Sequence, residues 1–252
     1  MSASEPARPV TAAILIIGNE ILSGRTKDAN LPWLAERLNA IGIRVMEARV
    51  IADIPEAIIA AVNETRARFD YVFTTGGIGP THDDITSECV ARAFGRPLLL
   101  NDEARARLER HYPPGGLNEA RLRMAHVPEG ASLIDNPVSA APGFQIGNVF
   151  VMAGIPAVMQ AMFEGVRHRL SGGRPMQSRT VAAHIGEGVI AKDLGALQAR
   201  YEDLEIGSYP FVRQGRFGAS FVVRGTEPAR IAACIEELEA IVRKLGAEPI
   251  AE

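Results

Sequence analysis

The feature that most limits the possible folds is an apolar run, Val10–Ile17, interrupted only by Thr11, that stops at Gly18. A strand with one wetted face alternates apolar and polar residues. A run without alternation, as over Ala12–Ile17, suits a strand buried on both faces of a parallel sheet. The next segments repeat the theme. Asp28 or Asn30 can cap a helix with Pro32 in its first turn, Leu31, Leu34, Leu38 and Ile41 at helical spacing, and Gly42 as its stop. Ile43–Ile51 reads as a strand, and Asp53 with Glu56 around Pro55 makes a capping-box-like start for a helix to about Phe69. Tyr71–Thr75 is the next strand, and the next helix runs from Thr86 to Phe94 and ends at Gly95. Strand and helix alternating at βαβ spacing predict a three-layer α/β domain with a mostly parallel sheet.

Further on, helices are expected near Asp102–His111 and Glu119–His126, split by Pro113-Pro114-Gly115-Gly116. Short strands are expected near Ala131–Ile134, Gly143–Ile146 and Val149–Met152, and a helix from Pro156 to about Leu170. Ser171-Gly172-Gly173-Arg174-Pro175 is the best linker. Beyond it the pattern reads strand (Arg179–His184), helix (Leu194–Tyr201), strands (Glu205–Tyr209 and Ala219–Val223) and a last helix (Pro228–Leu245). The expected domains are therefore 1–170, α/β, and 176–252, a small two-layer α+β unit.

Composition narrows the function classes. A net charge of -3 over 252 residues supplies no general attraction to nucleic acid or to an anionic membrane. A phosphorylated small molecule must then be drawn by a local site. Cys89 and Cys234 show no CxxC spacing, which argues against a zinc site or a disulfide framework and fits a reducing compartment. Met1–Pro9 is polar, and no apolar run reaches membrane-span length. A cytoplasmic protein is expected, with neither membrane nor nucleic acid as partner.

Ligands of open parallel sheets bind at the carboxyl ends of the strands. Three unusual loops fall there: Gly18 through Gly24, Ala52-Asp53, and Gly76 through Glu88. In the third, Gly76, Gly77 and Gly79 let the backbone approach a ligand and leave amides free for phosphate, while Thr75 and Thr81 add hydroxyls. Asp83 and Asp84 precede the next helix. One aspartate there is ordinarily an N-cap, but two acids with three glycines exceed what capping requires. Paired carboxylates facing a phosphate loop make sense with a divalent cation, which neutralises both and lowers the pKa of water. The third glycine of a dinucleotide fingerprint is missing, and no GxxxxGK[ST] occurs.

Together GNEILSG (Gly18–Gly24), DAN (Asp28–Asn30), VIAD (Val50–Asp53) and TTGGIGPTHDDITSE (Thr74–Glu88) resemble the competence/damage-inducible protein A (CinA) family, as do NPVSAAPGF (Asn136–Phe144) and MAGIPAVMQAM (Met152–Met162). The similarity runs to about Leu170. It implies a molybdopterin-binding (MoaB/Mog-like) fold, a KH-like second domain and a homodimer. It also implies a metal-dependent pyrophosphatase that splits ADP-ribose or a related dinucleotide into AMP and a sugar phosphate, with Mg²⁺, Mn²⁺ or Co²⁺. By position in the family motifs, Asp84 and Asp83 are the metal ligands, and Asp84, Asp83 and Asp53 the catalytic acids. Gly18, Glu20, Asn30, Thr75, Gly76, Gly77, Gly79, Pro80 and Thr81 are the substrate-binding set. The fold is shared with molybdopterin-binding and adenylylating proteins, so molybdopterin is an alternative ligand. A non-catalytic nucleotide-binding module is a third reading.

Three departures stand out. His82 replaces a customary acid, Ala153 replaces the proline of a Pro-Gly-x-Pro turn, and Val158-Met159 replaces an acidic position. The further deamidase domain of full-length CinA proteins has no counterpart, so no nicotinamide-nucleotide deamidation is expected. Gly215-Arg216-Phe217-Gly218 spells the GxxG of nucleic-acid-binding KH domains but falls between two strands, which favours a hairpin turn. Neighbouring Arg213, Arg216 and Arg224 are candidates for contact with a phosphorylated ligand or a partner subunit. His111, His126, His168 and His184 have no metal-ligand spacing. Trp33 and the methionines at 152, 159 and 162 read as packing. Arg105, Arg107, Arg110, Arg121 and Arg123 read as mostly solvated, with a few able to reach an anion.

Overall fold

The structure, a computed structural model, describes residues 8–213 and 215–251. Residues 1–7 of the polar start lie outside the described residues. The chain divides into two compact units, Met1–Gly173 and Arg174–Glu252.

The first unit runs β1 (Val10–Ile17), α1 (Asn19–Leu22), α2 (Asn30–Ala40), β2 (Ile43–Ile51), α3 (Pro55–Arg68), β3 (Tyr71–Thr75) and α4 (Thr86–Ala93). It continues with β4 (Leu98–Leu100), α5 (Asp102–His111), α6 (Glu119–Leu122), β5 (His126–Pro128), β6 (Ser132–Ile134), β7 (Gly143–Ile146), β8 (Val149–Met152) and α7 (Pro156–Val166). The main sheet has the order β2-β1-β3-β8-β7-β6. β2, β1, β3 and β8 are mutually parallel, and β7 and β6 extend the sheet antiparallel. This is the MoaB/Mog-like α/β fold with its mostly parallel central sheet.

The opening apolar run is buried on both sides, as its composition requires. Ala12, Ile14 and Ile16 pack with Leu34 and Leu38 of α2 and Met159 and Phe163 of α7. Leu15 and Ile17 face the opposite layer, with Ile58 and Val62 of α3 and Cys89 and Val90 of α4. Each leucine, isoleucine, valine, methionine or phenylalanine among them contributes about 1.5–3 kcal/mol when taken out of water. Phe73 and Phe150 stack with centroids 5.2 Å apart, and Trp33 sets its edge against Phe163 at 5.4 Å. Met152, Met159 and Met162 belong to the same core.

Several local readings need correction. The carboxylate of Asp28 accepts from the amides of Asn30 and Leu31 at the start of α2, so Asn30 is a helical residue and not the cap. Asp53 does not cap α3: the cap position is Ile54 and no side chain bonds there. The helix expected over Glu119–His126 stops at Leu122, passes through a 3-10 turn at Arg123–Ala125, and gives way to β5. β5 pairs with β4 in a two-stranded sheet that single-segment patterning did not suggest. Three-residue strands have no internal periodicity, and only a partner defines them.

The second unit comprises β9 (Gln177–Ala183), α8 (Glu187–Arg200), β10 (Glu205–Arg213), β11 (Arg216–Gly225), α9 (Pro228–Lys244) and β12 (Ile250–Ala251). Its antiparallel sheet has the order β10-β11-β9-β12. Val181, Phe221 and Val223 face Ile190 and Leu197 of α8 and Ile231, Cys234 and Leu238 of α9, a two-layer core. α8 starts seven residues before the expected Leu194, because Gly188 and Gly195 weaken a helical signal that Ile190 and Leu197 restore by packing. The GxxG segment lies in the β10–β11 hairpin, where Arg213 stands opposite Arg216.

Candidate functional site at the strand ends

Four loops meet at the carboxyl ends of β2, β1, β3 and β8. The first follows β1. The amide of Gly18 bonds to the Ile51 carbonyl at 3.1 Å, which ties it to the end of β2. Asn19 then opens the short α1, and its amide donates to the Asp53 carboxylate at 2.8 Å. The Asp53 amide returns a longer bond, 3.4 Å, to the Asn19 side-chain oxygen. Asp53 thus holds the first loop to the second instead of starting a helix. Glu20 is exposed, and its carboxylate lies back over Gly18, against the place a Cβ would take.

The third loop approaches the first through a glycine. Gly76 has φ +102°, and a Cβ there would overlap the Ile17 carbonyl oxygen. No side chain can be accommodated without moving the β1 backbone. Its amide bonds to the Met152 carbonyl at 3.1 Å, which fixes the loop to β8 as well. Gly77 has φ +69° and sits over the Thr86 hydroxyl, while the Thr86 amide donates to the Gly77 carbonyl at 2.9 Å. The fourth loop, after β8, joins through Asn30, whose side-chain amide donates to the Gly154 carbonyl at 2.8 Å.

Asp84 closes a turn of its own. Its carboxylate accepts from the Thr81 amide at 2.8 Å and from the Thr81 hydroxyl at 2.6 Å, both on one oxygen. It does not cap α4, whose cap position, Ile85, has no side-chain bond. Gly79 lies directly over this carboxylate, where a Cβ would come within 2.6 Å of the same oxygen. Asp83 is more exposed and stands 4.0 Å from His82, itself almost wholly in solvent. The Asp83 carboxyl is held below its ordinary value, first by the nearby Thr81 hydroxyl, then by its own amide, with His82 adding a smaller pull. Because the Thr81 hydroxyl makes its well-formed bond to Asp84, the pull on the exposed Asp83 is a weak one.

The sequence-derived residues therefore gather in two groups. Gly18, Glu20 and Asp53 lie on the β1 and β2 side; Thr75, Gly76, Gly77, Gly79, Pro80, Thr81, Asp83 and Asp84 lie on the β3 side, with Gly76 as the seam. No hydrogen bond or ion pair among the described residues joins Glu20 or Asp53 to Asp83 or Asp84. Beneath the seam the hydroxyls of Thr74, Thr75 and Thr86 and the side-chain oxygen of Asn30 are buried with no hydrogen-bond partner. Buried polar groups ordinarily find one, so orphans at a loop cluster mark a place for a ligand or water. Asn136, by contrast, is fully used within its own loop: it accepts from Val138 and Ser139 amides and donates to Ser139 and Ala141 oxygens.

Patterning did not single out Asn19 or Gly154, and it placed Arg123 only among five arginines read as mostly solvated. Arg123 donates to the Thr81 carbonyl at 3.2 Å, although 42 residues separate them. Of its neighbours, Arg105 pairs with Glu109, Arg107 with Glu103 and Asp135, and Arg121 bonds to Gly116 and lies over Tyr112. Among the described residues no group of three or more His, Cys, Asp and Glu side chains is placed to hold a metal ion. No helix among them is long and apolar enough to cross a membrane.

Fold and site together define an α/β protein of the molybdopterin-binding type with a glycine-and-acid loop at its strand ends. The family described as "Probable molybdopterin binding domain" matches residues 13–171, and the chain belongs to that family. The family "FAD synthase, middle domain" matches residues 175–248, in place of the KH-like domain that the CinA resemblance implied. A probable FAD synthase of Caenorhabditis elegans is 33% identical over 261 residues, which cover 93% of this chain and 49% of that protein. A CinA-like protein of Citrifermentans bemidjiense is 43% identical over 158 residues, covering 60% of this chain and 38% of its own length. The chain thus spans half or less of each of these two relatives. A crystal structure described as the protein CinA with unknown function from Thermoplasma acidophilum superposes with a TM-score of 0.61 at 32% identity, over 64% of this chain and 98% of that one.

Proposed function

We propose that the first unit is a divalent-metal-dependent hydrolase of adenine dinucleotide pyrophosphates, ADP-ribose being the test substrate. One observation carries the reading: the Asp84 turn lies under Gly79 at the carboxyl ends of parallel strands, beside a glycine loop with buried, unpartnered Thr75 and Thr86 hydroxyls. Backbone amides of residues 77–79 and the first turn of α4 suit the pyrophosphate oxygens. Thr75 adds a hydroxyl donor, the Thr81 hydroxyl being engaged by Asp84, and Pro80 stiffens the loop between them.

The donor set fits a small hard cation. Asp84 has one carboxylate oxygen engaged by Thr81 and the other without a hydrogen bond among the described residues, and Asp83 is exposed beside it. Two carboxylates with no third protein ligand match the habit of Mg²⁺, which takes its remaining oxygens from phosphate and water. When bound, such an ion neutralises phosphate charge and lowers the pKa of a water. The protein's own part is to hold the phosphates on the loop and keep the acids in register through Thr81. Asp53 and Asn19 fix the neighbouring loop that carries Glu20.

A second reading makes flavin adenine dinucleotide the substrate. It is favoured by the alignment of both units with a probable FAD synthase. Purified protein incubated with ADP-ribose or with FAD, under Mg²⁺, Mn²⁺ or Co²⁺, is assayed for AMP. AMP from ADP-ribose alone supports the first reading, and a preference for FAD moves the assignment to the second. No AMP from either sinks both, and retention of molybdopterin with transfer of AMP from ATP would replace them by the pterin alternative.

A further inference from the structure

A recess of about 210 Å³ opens beside the Asp84 turn, walled by Ile78, Asp84, Ser87, Glu88, Arg123 and His126 among others. We propose that it is the subsite for the sugar-phosphate half of the substrate, with Arg123 as the residue that holds its phosphate. The assignment rests on the pyrophosphatase reading above. Size argues for half a substrate: whole drug-sized ligands occupy about 300–1,000 Å³, so this recess takes one end of a dinucleotide.

Chemistry selects the sugar end. No Phe, Tyr or Trp lines the recess, so the broad aromatic face on which an adenine ordinarily stacks is missing there. Glu88 and Ser87 offer acceptors for hydroxyl groups, the role that an acidic residue plays for ribose elsewhere. Arg123 supplies the cation. Among the described residues its one side-chain hydrogen bond goes to the Thr81 carbonyl, and it pairs with no carboxylate. A guanidinium that shares a recess with two carboxylates and pairs with neither keeps its planar fork for an incoming phosphate. The bond to Thr81 also couples it to the turn that Asp84 closes, so a phosphate on Arg123 lies next to the proposed metal ligands. His126 completes the wall, with Nδ1 3.3 Å from the Leu122 carbonyl.

The test uses the full chain as wild type, Arg123→Ala, Arg123→Lys, and Arg105→Ala as a surface control. Binding of ribose 5-phosphate and of AMP is titrated separately by calorimetry, with turnover of ADP-ribose measured alongside. For Arg123→Ala, ribose 5-phosphate affinity is expected to fall about tenfold or more, with AMP affinity little changed, and the KM for ADP-ribose to rise more than kcat falls. Arg123→Lys should recover part of the loss, which a folding defect would not allow, and Arg105→Ala should behave as wild type. Equal ribose 5-phosphate binding by wild type and Arg123→Ala, no binding by the wild type, or an equal loss for AMP overturns the subsite. Wild type that binds ribose 5-phosphate through Arg123 but hydrolyses nothing overturns the pyrophosphatase reading and leaves the subsite standing.

Discussion

The backbone amide of Asn19 donates to the carboxylate of Asp53 at 2.8 Å, across 34 residues of sequence, and so ties the loop after β1 to the loop after β2. The bond needs an acceptor, not a charge. Asp53→Asn should therefore keep the clasp and melt within about 0.5 kcal/mol of wild type, while Asp53→Ala should lose about 1–2 kcal/mol. Denaturant titration of the two variants checks this. If both lose AMP release equally while folding normally, the charge of Asp53 is itself required and the acid belongs with the metal ligands.

Gly76 is the seam between two loops, and its positive φ and the Ile17 carbonyl both exclude a side chain. The obstructing atom is backbone in a buried strand, so it cannot swing aside. Gly76→Ala should cost at least about 2 kcal/mol and lower the melting point by several degrees. An alanine variant that melts with the wild type would show that the loop has another way to pass β1.

How much of this was open to sequence reading depended on whether each signal was local. Val10–Ile17 and the leucines of α2 announce themselves because a strand's burial and a helix's stripe are written in adjacent residues. The glycines and acids of residues 76–88 stood out for the same reason. Asp53 was misread because a capping box is a pattern of four residues, whereas its actual partner lies on another strand end. Arg123 looked like any other arginine on a polar helix, since nothing nearby records that a 3-10 turn carries it to Thr81. β4 and β5 exist only as a pair, and the KH-like expectation for the second unit, carried over from the family resemblance of the first, gave way to a match with the FAD synthase middle domain.

Burial pushes the thiols of Cys89 and Cys234 up to about 11 from an ordinary value of 9.0. Both are free and buried, so the folded protein should react slowly with an aromatic disulfide reagent at pH 8 and release two thiol equivalents only in denaturant. The unfolded chain loses these protons first. The stability they contribute is therefore complete below pH 9 and disappears as pH rises through about 11. Melting curves at pH 8 and at pH 10.5 should show the decline, with a smaller decline in Cys89→Ala. Rapid labelling of native protein at pH 8 would contradict the burial of both side chains.

The central claim is that the Asp84 carboxylate serves chemistry as well as its turn. Asp84→Asn separates the two, because an amide oxygen still accepts from the Thr81 amide while the negative charge is gone. The direct measurement is AMP release from ADP-ribose by wild type and Asp84→Asn under Mg²⁺, Mn²⁺ and Co²⁺, with melting curves of both. The account predicts metal-dependent release by the wild type, a loss of about a hundredfold or more in the variant, and nearly equal stability. A stable Asp84→Asn protein that releases AMP at the wild-type rate would contradict it.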